Sequence, residues 1–275
     1  MPIPKDRFAI IVGSMKCGTT SLFDWLVEAP EICGARWKEP EWFSDDRKAY
    51  IGERMPERYD DLWAFDPDRH EWALEASTGY SKWRPRDPQS HERIAAAGLE
   101  PRVIYLVRNP FDRILSHWTY MQGNLAFDHD LLDDLLVRTS DYAHFADRYA
   151  STFGRDAVLL MEFDDLRRSP LGVTNAARRH LGLPAVDRLA DEMPRNVTGP
   201  VPTRAERYLK RALRPLLKVL PDAALDPIRP AVRNLRRHER PDFTPAERDR
   251  VKEILAPGME RLHCNWNVDV GRWGF

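Results

Sequence analysis

Two short stretches combine residue types that bind phosphate. In VGSMKCGTTS, Gly13 and Gly18 keep the spacing of a phosphate-binding glycine loop, and Lys16 lies inside it. A nucleoside-triphosphate loop reads G-x-x-x-x-G-K-[ST]; its lysine follows the second glycine directly and reaches the β- and γ-phosphates. Here Thr19 and Thr20 follow Gly18, and the lysine precedes it by two positions. That spacing puts Lys16 over the loop, near the terminal group of a shorter anhydride. Thr19 and Thr20 then bring hydroxyls and helix-start N–H groups to one phosphate. In YLVRNPFDRILSHW, Arg108 ends an apolar run and Ser116 lies two turns further on. Arginine suits fork-like phosphate contacts. Together the stretches describe two phosphate sites, which fit one nucleotide phosphorylated at both ends of its ribose.

The elements that must position these groups are legible nearby. Phe8 to Val12 is a continuous apolar run ended by glycine, the pattern of a buried parallel strand. Leu22, Trp25, Leu26 and Ala29 then recur at helical spacing before Pro30. Strand, glycine loop and helix in that order aim backbone N–H groups and a positive helix end at an anion. Val103 to Val107 repeats the plan, with Pro110 suited to a first helical position. Ala157 to Met161 gives a third strand, and the stretch near Trp72 to Ser77 a weaker one. Alternating strands and helices predict an α/β, three-layer fold of the P-loop type, with a central parallel sheet flanked by helices.

After Pro184 the strand signals stop. RNVTGPVPTR reads as a loop, followed by helical stretches from about Ala205 to Val219 and from Thr244 to Leu262. Thr244 with Glu247 forms a capping-box pattern, and Pro245 takes the first helical position. The expectation is one domain over residues 1–275, with a nucleotide core over about 7–184 and a helical part over about 203–275 packed on it.

Bulk composition narrows the partners. The chain has 275 residues and a formal net charge of −1, which does not favour non-specific nucleic-acid binding. The arginine-rich segment from Arg204 to Arg240 reads as a solvated helical face or a binding surface. Cys17, Cys33 and Cys264 are too few and too scattered for a disulfide framework or zinc site. No segment approaches a membrane span, and the first apolar run is too short for a signal-peptide core. A cytoplasmic protein that needs no metal is expected. A triphosphatase would also require a metal-holding acid at a strand end. The strand at Val107 gives Arg108 instead, whereas the strand at Met161 leads to Glu162, Asp164 and Asp165. A P-loop kinase or NTPase is thus one alternative, and a non-catalytic nucleotide-binding module another.

VGSMKCGTTSLFDWL and YLVRNPFDRILSHW resemble the 5′-phosphosulfate loop and the 3′-phosphate motif of the sulfotransferases that use 3′-phosphoadenosine 5′-phosphosulfate (PAPS). KEPEWFS and EASTGYS lie between them in the family's order, and FTPAERDRVKEILAPGMERL resembles its C-terminal helices. The resemblance is greatest to the branch with heparan-sulfate-type and bacterial members. It implies that Lys16 neutralises charge on the sulfonate and the leaving phosphate. It implies that Lys16, Cys17, Gly18, Thr19, Thr20 and Ser21 form the 5′-phosphate loop. Arg108 and Ser116 would hold the 3′-phosphate. Arg204, in the place of the family's final nucleotide-contacting loop, would close over it. Adenosine 3′,5′-bisphosphate (PAP) would be the product.

The same resemblance places a catalytic base at Glu39 in KEPEWF, with Glu41 two residues on. His70, His91 and His117 sit in no matched motif. One position departs from the family. The heparan-type branch carries a lysine after the glutamate of LEASTGY, where this chain has Ala76; Lys82 comes six residues later. Trp37, Trp42, Trp63, Trp72 and Trp83 fall between the two nucleotide motifs, where an acceptor cleft would be built. The acceptor would be a hydroxyl or amine of a small natural product, a glycan or a lipid.

Overall fold

Five apolar runs pair into one parallel sheet in the computed structural model, which describes residues 3–44, 55–84, 89–121, 130–193 and 242–275. They are β1 (Phe8–Gly13), β2 (Ile32–Gly34), β3 (Trp72–Ala76), β4 (Arg102–Val107) and β5 (Val158–Glu162), in the spatial order β2-β3-β1-β4-β5. Side chains alternate between the faces. Phe8, Ile10 and Val12 join Val103 and Tyr105 in one buried cluster; Ala9 and Ile11 join Leu74, Ile104 and Leu106 in the other. Both faces being covered explains why the strands read as unbroken apolar runs.

Helices α1 (Thr19–Val27) and α7 (Pro170–His180) cover the second cluster through Leu22, Trp25, Leu26, Val173 and Ala177. On the other face lie α2 (Ser90–Ala96), α3 (Pro110–Met121), α4 (Asp134–Arg138) and α5 (Tyr142–Phe153). Short α6 (Phe163–Arg168) leads directly out of β5. The expected layer fold is therefore present: a central parallel sheet flanked by helices. The first strand runs one residue past its expected end, the third begins one residue later than expected, and Pro110 opens α3. The three-residue β2 and the helices α2, α4 and α5 were not expected individually.

The last described helix, α8 (Pro245–Trp266), starts at the expected capping box, where Thr244 Oγ1 accepts from Glu247 N and Glu247 Oε2 accepts from Thr244 N. Its Val251, Leu255, Met259 and Leu262 share the first cluster with Tyr142, Phe145 and Tyr149 of α5. Trp266 Nε1 also donates to Asp147 at 2.8 Å. The NVTGPVPTR loop, the helical stretch from about Ala205 to Val219, and Arg204 itself lie outside the described residues.

Strand order fixes where a ligand belongs. β1 pairs with β3 on one side and β4 on the other, and the chain passes from β3 across β1 to reach β4. In open parallel sheets the crevice at such a switch point, beyond the strands' C-terminal ends, is where ligands bind. The Lys16 loop leaves β1 at that crevice, and Arg108 leaves β4 beside it.

Candidate active site

The loop after β1 is held tightly to its neighbours. Ser14 N donates to Leu106 O at 2.8 Å, and Cys17 N to Ser14 O at 3.1 Å. Gly13 adopts φ 137° and Gly18 φ 85°; Gly18 is the N-cap of α1 and offers no side-chain cap. A Cβ on Gly13 would overlap Ser81 Oγ, so only glycine lets the turn after β3 pack this closely on the loop. Lys16 has φ 71°, a conformation costing a non-glycine residue about 1–3 kcal/mol. Its Nζ lies 4.7 Å from the centroid of the Tyr120 ring on α3.

The second motif meets the first directly. Arg108 Nη1 donates to the Lys16 carbonyl at 3.3 Å, its guanidinium lies 4.5 Å from the Phe163 ring centroid, and Asp112 stands 3.8 Å away. Its buried Nε has no partner among the described residues, an unmet donor beside the loop. Burial, then the charge of Arg108, lowers the pKa of Lys16. Ser116 is half-buried on α3, and Thr20 half-buried on α1. Thr19 and Ser21 are buried, as is the Cys17 thiol, whose pKa burial pushes up to about 11. Cys17 therefore offers the loop its backbone rather than a thiolate.

KEPEWF lies across the turn that follows β3. Glu39 is half-buried; it pairs with Lys38 at 2.7 Å and accepts from Thr78 Oγ1 at 3.3 Å. Its negative charge is felt at both Lys16 and Lys82. Lys82 is largely buried, and burial lowers its pKa. Ala76, by contrast, is fully buried in the cluster on the α1 side of the sheet. Besides Lys38 and Lys16, the lysine whose charge Glu39 influences is Lys82, after the turn, and not a residue of the strand. Glu41 is buried at φ 52°, and its Oε1 accepts from Gly79 N at 2.8 Å.

Among the described residues, no three His, Cys, Asp or Glu side chains gather as a metal site, and no helix is long and apolar enough to cross a membrane. Of the acids at and after the end of β5, Glu162 pairs with Arg272, and Asp165 accepts from Arg168 at 3.1 Å. Of the candidate cleft aromatics, Trp63 and Trp72 are core residues, while Trp37, Trp42 and Trp83 are partly exposed.

The family description "Sulfotransferase domain" matches residues 6–198, more than half the chain. The chain belongs to the sulfotransferase domain family. A sulfotransferase from Alicyclobacillus acidocaldarius has the same fold, with a TM-score of 0.68 at 20% identity over 99% of this chain and 100% of that one. A mouse sulfotransferase complexed with PAP aligns over 68% of this chain and 62% of its own, at 14% identity and a TM-score of 0.40. The sulfotransferase domain of a Synechococcus olefin synthase aligns over 72% and 83%, at 17% identity and 0.45. No curated protein sequence matches the chain.

One residue of this sulfotransferase was not singled out from sequence. Glu75, on β3, is fully buried and accepts from Tyr59 OH at 2.6 Å, Ser77 Oγ at 2.7 Å and Tyr80 OH at 3.0 Å. The same Ser77 oxygen accepts from Glu41 N, and the same Tyr80 oxygen from Phe43 N. Glu75 thereby suspends KEPEWF from the sheet through two hydroxyls. Burial pushes its pKa up to about 7. A carboxyl raised on folding keeps its proton longer in the native state, so its contribution to stability falls as pH rises from about 4.5 through about 7. Glu75→Gln removes this titration. The melting temperature of the variant relative to wild type is expected to rise between pH 5 and pH 8, by the equivalent of roughly 3 kcal/mol at most. A difference constant with pH would show that Glu75 does not titrate in this window.

Proposed function

We propose that the protein transfers a sulfuryl group from PAPS to a hydroxyl or amine of an acceptor and releases PAP. The acceptor's oxygen or nitrogen bonds to sulfur as the bond from sulfur to the bridging oxygen breaks. The electron pair goes to the 5′-phosphate, and the acceptor's proton goes to Glu39. Lys16 offsets the charge that develops on sulfonate and leaving group. The Gly18, Thr19, Thr20 and Ser21 turn would hold the 5′-phosphate, and Arg108 with Ser116 the 3′-phosphate.

The observation that carries this reading is the contact between the two motifs. The lysine sits inside the loop rather than after Gly18, and its carbonyl is bound by an arginine at the end of the next strand. That pair suits a donor with a 3′-phosphate and no γ-phosphate. KEPEWF, with Glu39 in reach of Lys16, supports a likeness to the heparan-sulfate-type and bacterial branch in its base. The three cysteines are free, consistent with a reducing, cytoplasmic setting. The partly exposed Trp37, Trp42 and Trp83 supply flat apolar surface suited to a sugar, lipid or small natural product.

Calorimetry and thermal shift test the reading without an acceptor. PAP at about 100 times its Kd is expected to stabilise the protein by roughly 2.7 kcal/mol, a rise in Tm of about 5–10 °C, and ATP by much less. Arg108→Ala should weaken PAP binding by about ten- to a hundredfold, the value of a charged hydrogen bond. Equal shifts with ATP that depend on Mg²⁺ would instead favour a P-loop kinase or NTPase.

A further inference from the structure

His117 is fully buried on α3, yet one of its ring nitrogens is unpaired among the described residues. Nδ1 lies 3.2 Å from Arg113 Nη1. A guanidinium only donates, so Nδ1 accepts and the ring proton resides on Nε2. Arg113 is itself fully buried and held in place: Nε donates to Ser140 Oγ at 2.6 Å, and Nη2 to the Leu136 carbonyl. The tautomer is therefore set by a rigid neighbour. Nε2 has no partner among the described residues. A buried N–H left without a partner is costly and rare, which points to a ligand that completes it.

The direction of that ligand follows from the helix. Arg113, His117 and Tyr120 lie at i, i+4 and i+7 on one face of α3. Tyr120 carries the Lys16 ammonium over its ring, so this face runs from Arg113 to the phosphate loop. The charged groups bearing on His117 come from its own helix (Arg113), from the end of the turn after β3 (Lys82) and from the loop (Lys16). After burial, these three positive charges hold its pKa well below the usual histidine range. The ring is thus a neutral donor within the field of two ammonium groups, an arrangement suited to an anion.

We propose that His117 Nε2–H donates a hydrogen bond to the donor's sulfonate, held between Lys16 and Lys82, and does not act as a base. The assignment rests on the sulfuryl-transfer reading above, since it names that donor's terminal group. Both nitrogens exclude the base role: the Nδ1 lone pair is taken by Arg113, and Nε2 already carries the proton.

Two substitutions separate the donor role from a structural one. In His117→Asn the amide oxygen can still accept from Arg113, but nothing reaches the position of Nε2. In His117→Gln an amide N–H returns near that position. Affinities for PAPS and PAP are measured by calorimetry on the full chain. Expected for His117→Asn is a loss of PAPS affinity of about ten- to a hundredfold with PAP affinity unchanged, partly recovered in His117→Gln. Nitrogen-15 NMR of histidine-labelled wild type should show a neutral, Nε2-protonated ring from pH 5 to pH 8. Equal losses for PAPS and PAP in His117→Asn, no loss for either, or an imidazolium or Nδ1-protonated ring would overturn the proposal. Wild-type protein that binds neither nucleotide would overturn the sulfotransfer reading itself, and this assignment with it. Should His117→Asn not fold, the NMR result and His117→Gln still decide.

Discussion

Lys16→Ala is expected to lower turnover by about 10²- to 10³-fold while PAP affinity changes little. The size follows from removing a single preorganised donor at the place where charge would develop, on a half-buried side chain. The separation of effects follows because PAP lacks the sulfonate, so most of what Lys16 contributes is realised only during transfer. Burial and Arg108 lower the Lys16 pKa. Its charge is therefore lost at a lower pH than that of an ordinary lysine, and the wild-type rate should decline on the alkaline side earlier than a free lysine would dictate. Steady-state rates over a pH series, together with calorimetric PAP affinities, check both statements. A variant with intact turnover and weakened PAP binding would assign Lys16 to binding alone.

Glu39→Gln is expected to reduce turnover by about 10²- to 10⁴-fold, the range of general-base catalysis, and to leave PAP affinity nearly unchanged. Glutamine keeps the shape of the side chain and its contact with Thr78 but cannot take the acceptor's proton. The loss should be greatest with a weakly acidic alcohol and smallest with an acidic phenol, which needs less help to ionise. The assay therefore uses the best acceptor from a screen with labelled donor. Glu41, the carboxylate two residues on, is buried and its Oε1 is bound to Gly79 N, which ties the segment to the turn after β3. Near-normal turnover in Glu39→Gln would move the base elsewhere.

The parts of this molecule that the sequence makes legible are those whose signal is local. β1 and β4 are unbroken apolar runs because both faces of the sheet are covered. The start of α8 is visible because Thr244, Pro245 and Glu247 are neighbours in the chain. Both nucleotide motifs are contiguous, so their glycines, lysine and arginine can be read in one glance. Other features depend on distant partners. Glu75 looks like one polar residue in a short strand until Tyr59, Ser77 and Tyr80 converge on it. Arg113 has no local signal of burial, yet it is fully buried and bonded to Ser140 and the Leu136 carbonyl, more than twenty residues on. Lys82 is close to Ala76 in sequence, but the intervening turn puts its ammonium in the field of Glu39 and Glu41 while Ala76 is buried in the opposite core. α5 carries no glycine loop or charged signature, and its role as the platform for α8 is visible only once both are folded.

The bonds between KEPEWF and the turn after β3 also define what can be transplanted between relatives. Glu39 is tied to Thr78, the Glu41 backbone to Ser77, the Glu41 side chain to Gly79, and the Phe43 backbone to Tyr80. A side chain at Gly79 would run into the Glu41 carboxylate, as one at Gly13 would run into Ser81. A KEPEWF segment grafted alone would arrive without the hydroxyls and the bare glycine that seat it. The unit that must move together is therefore discontinuous, residues 36–44 with 75–82, and it needs a host loop that begins with glycine.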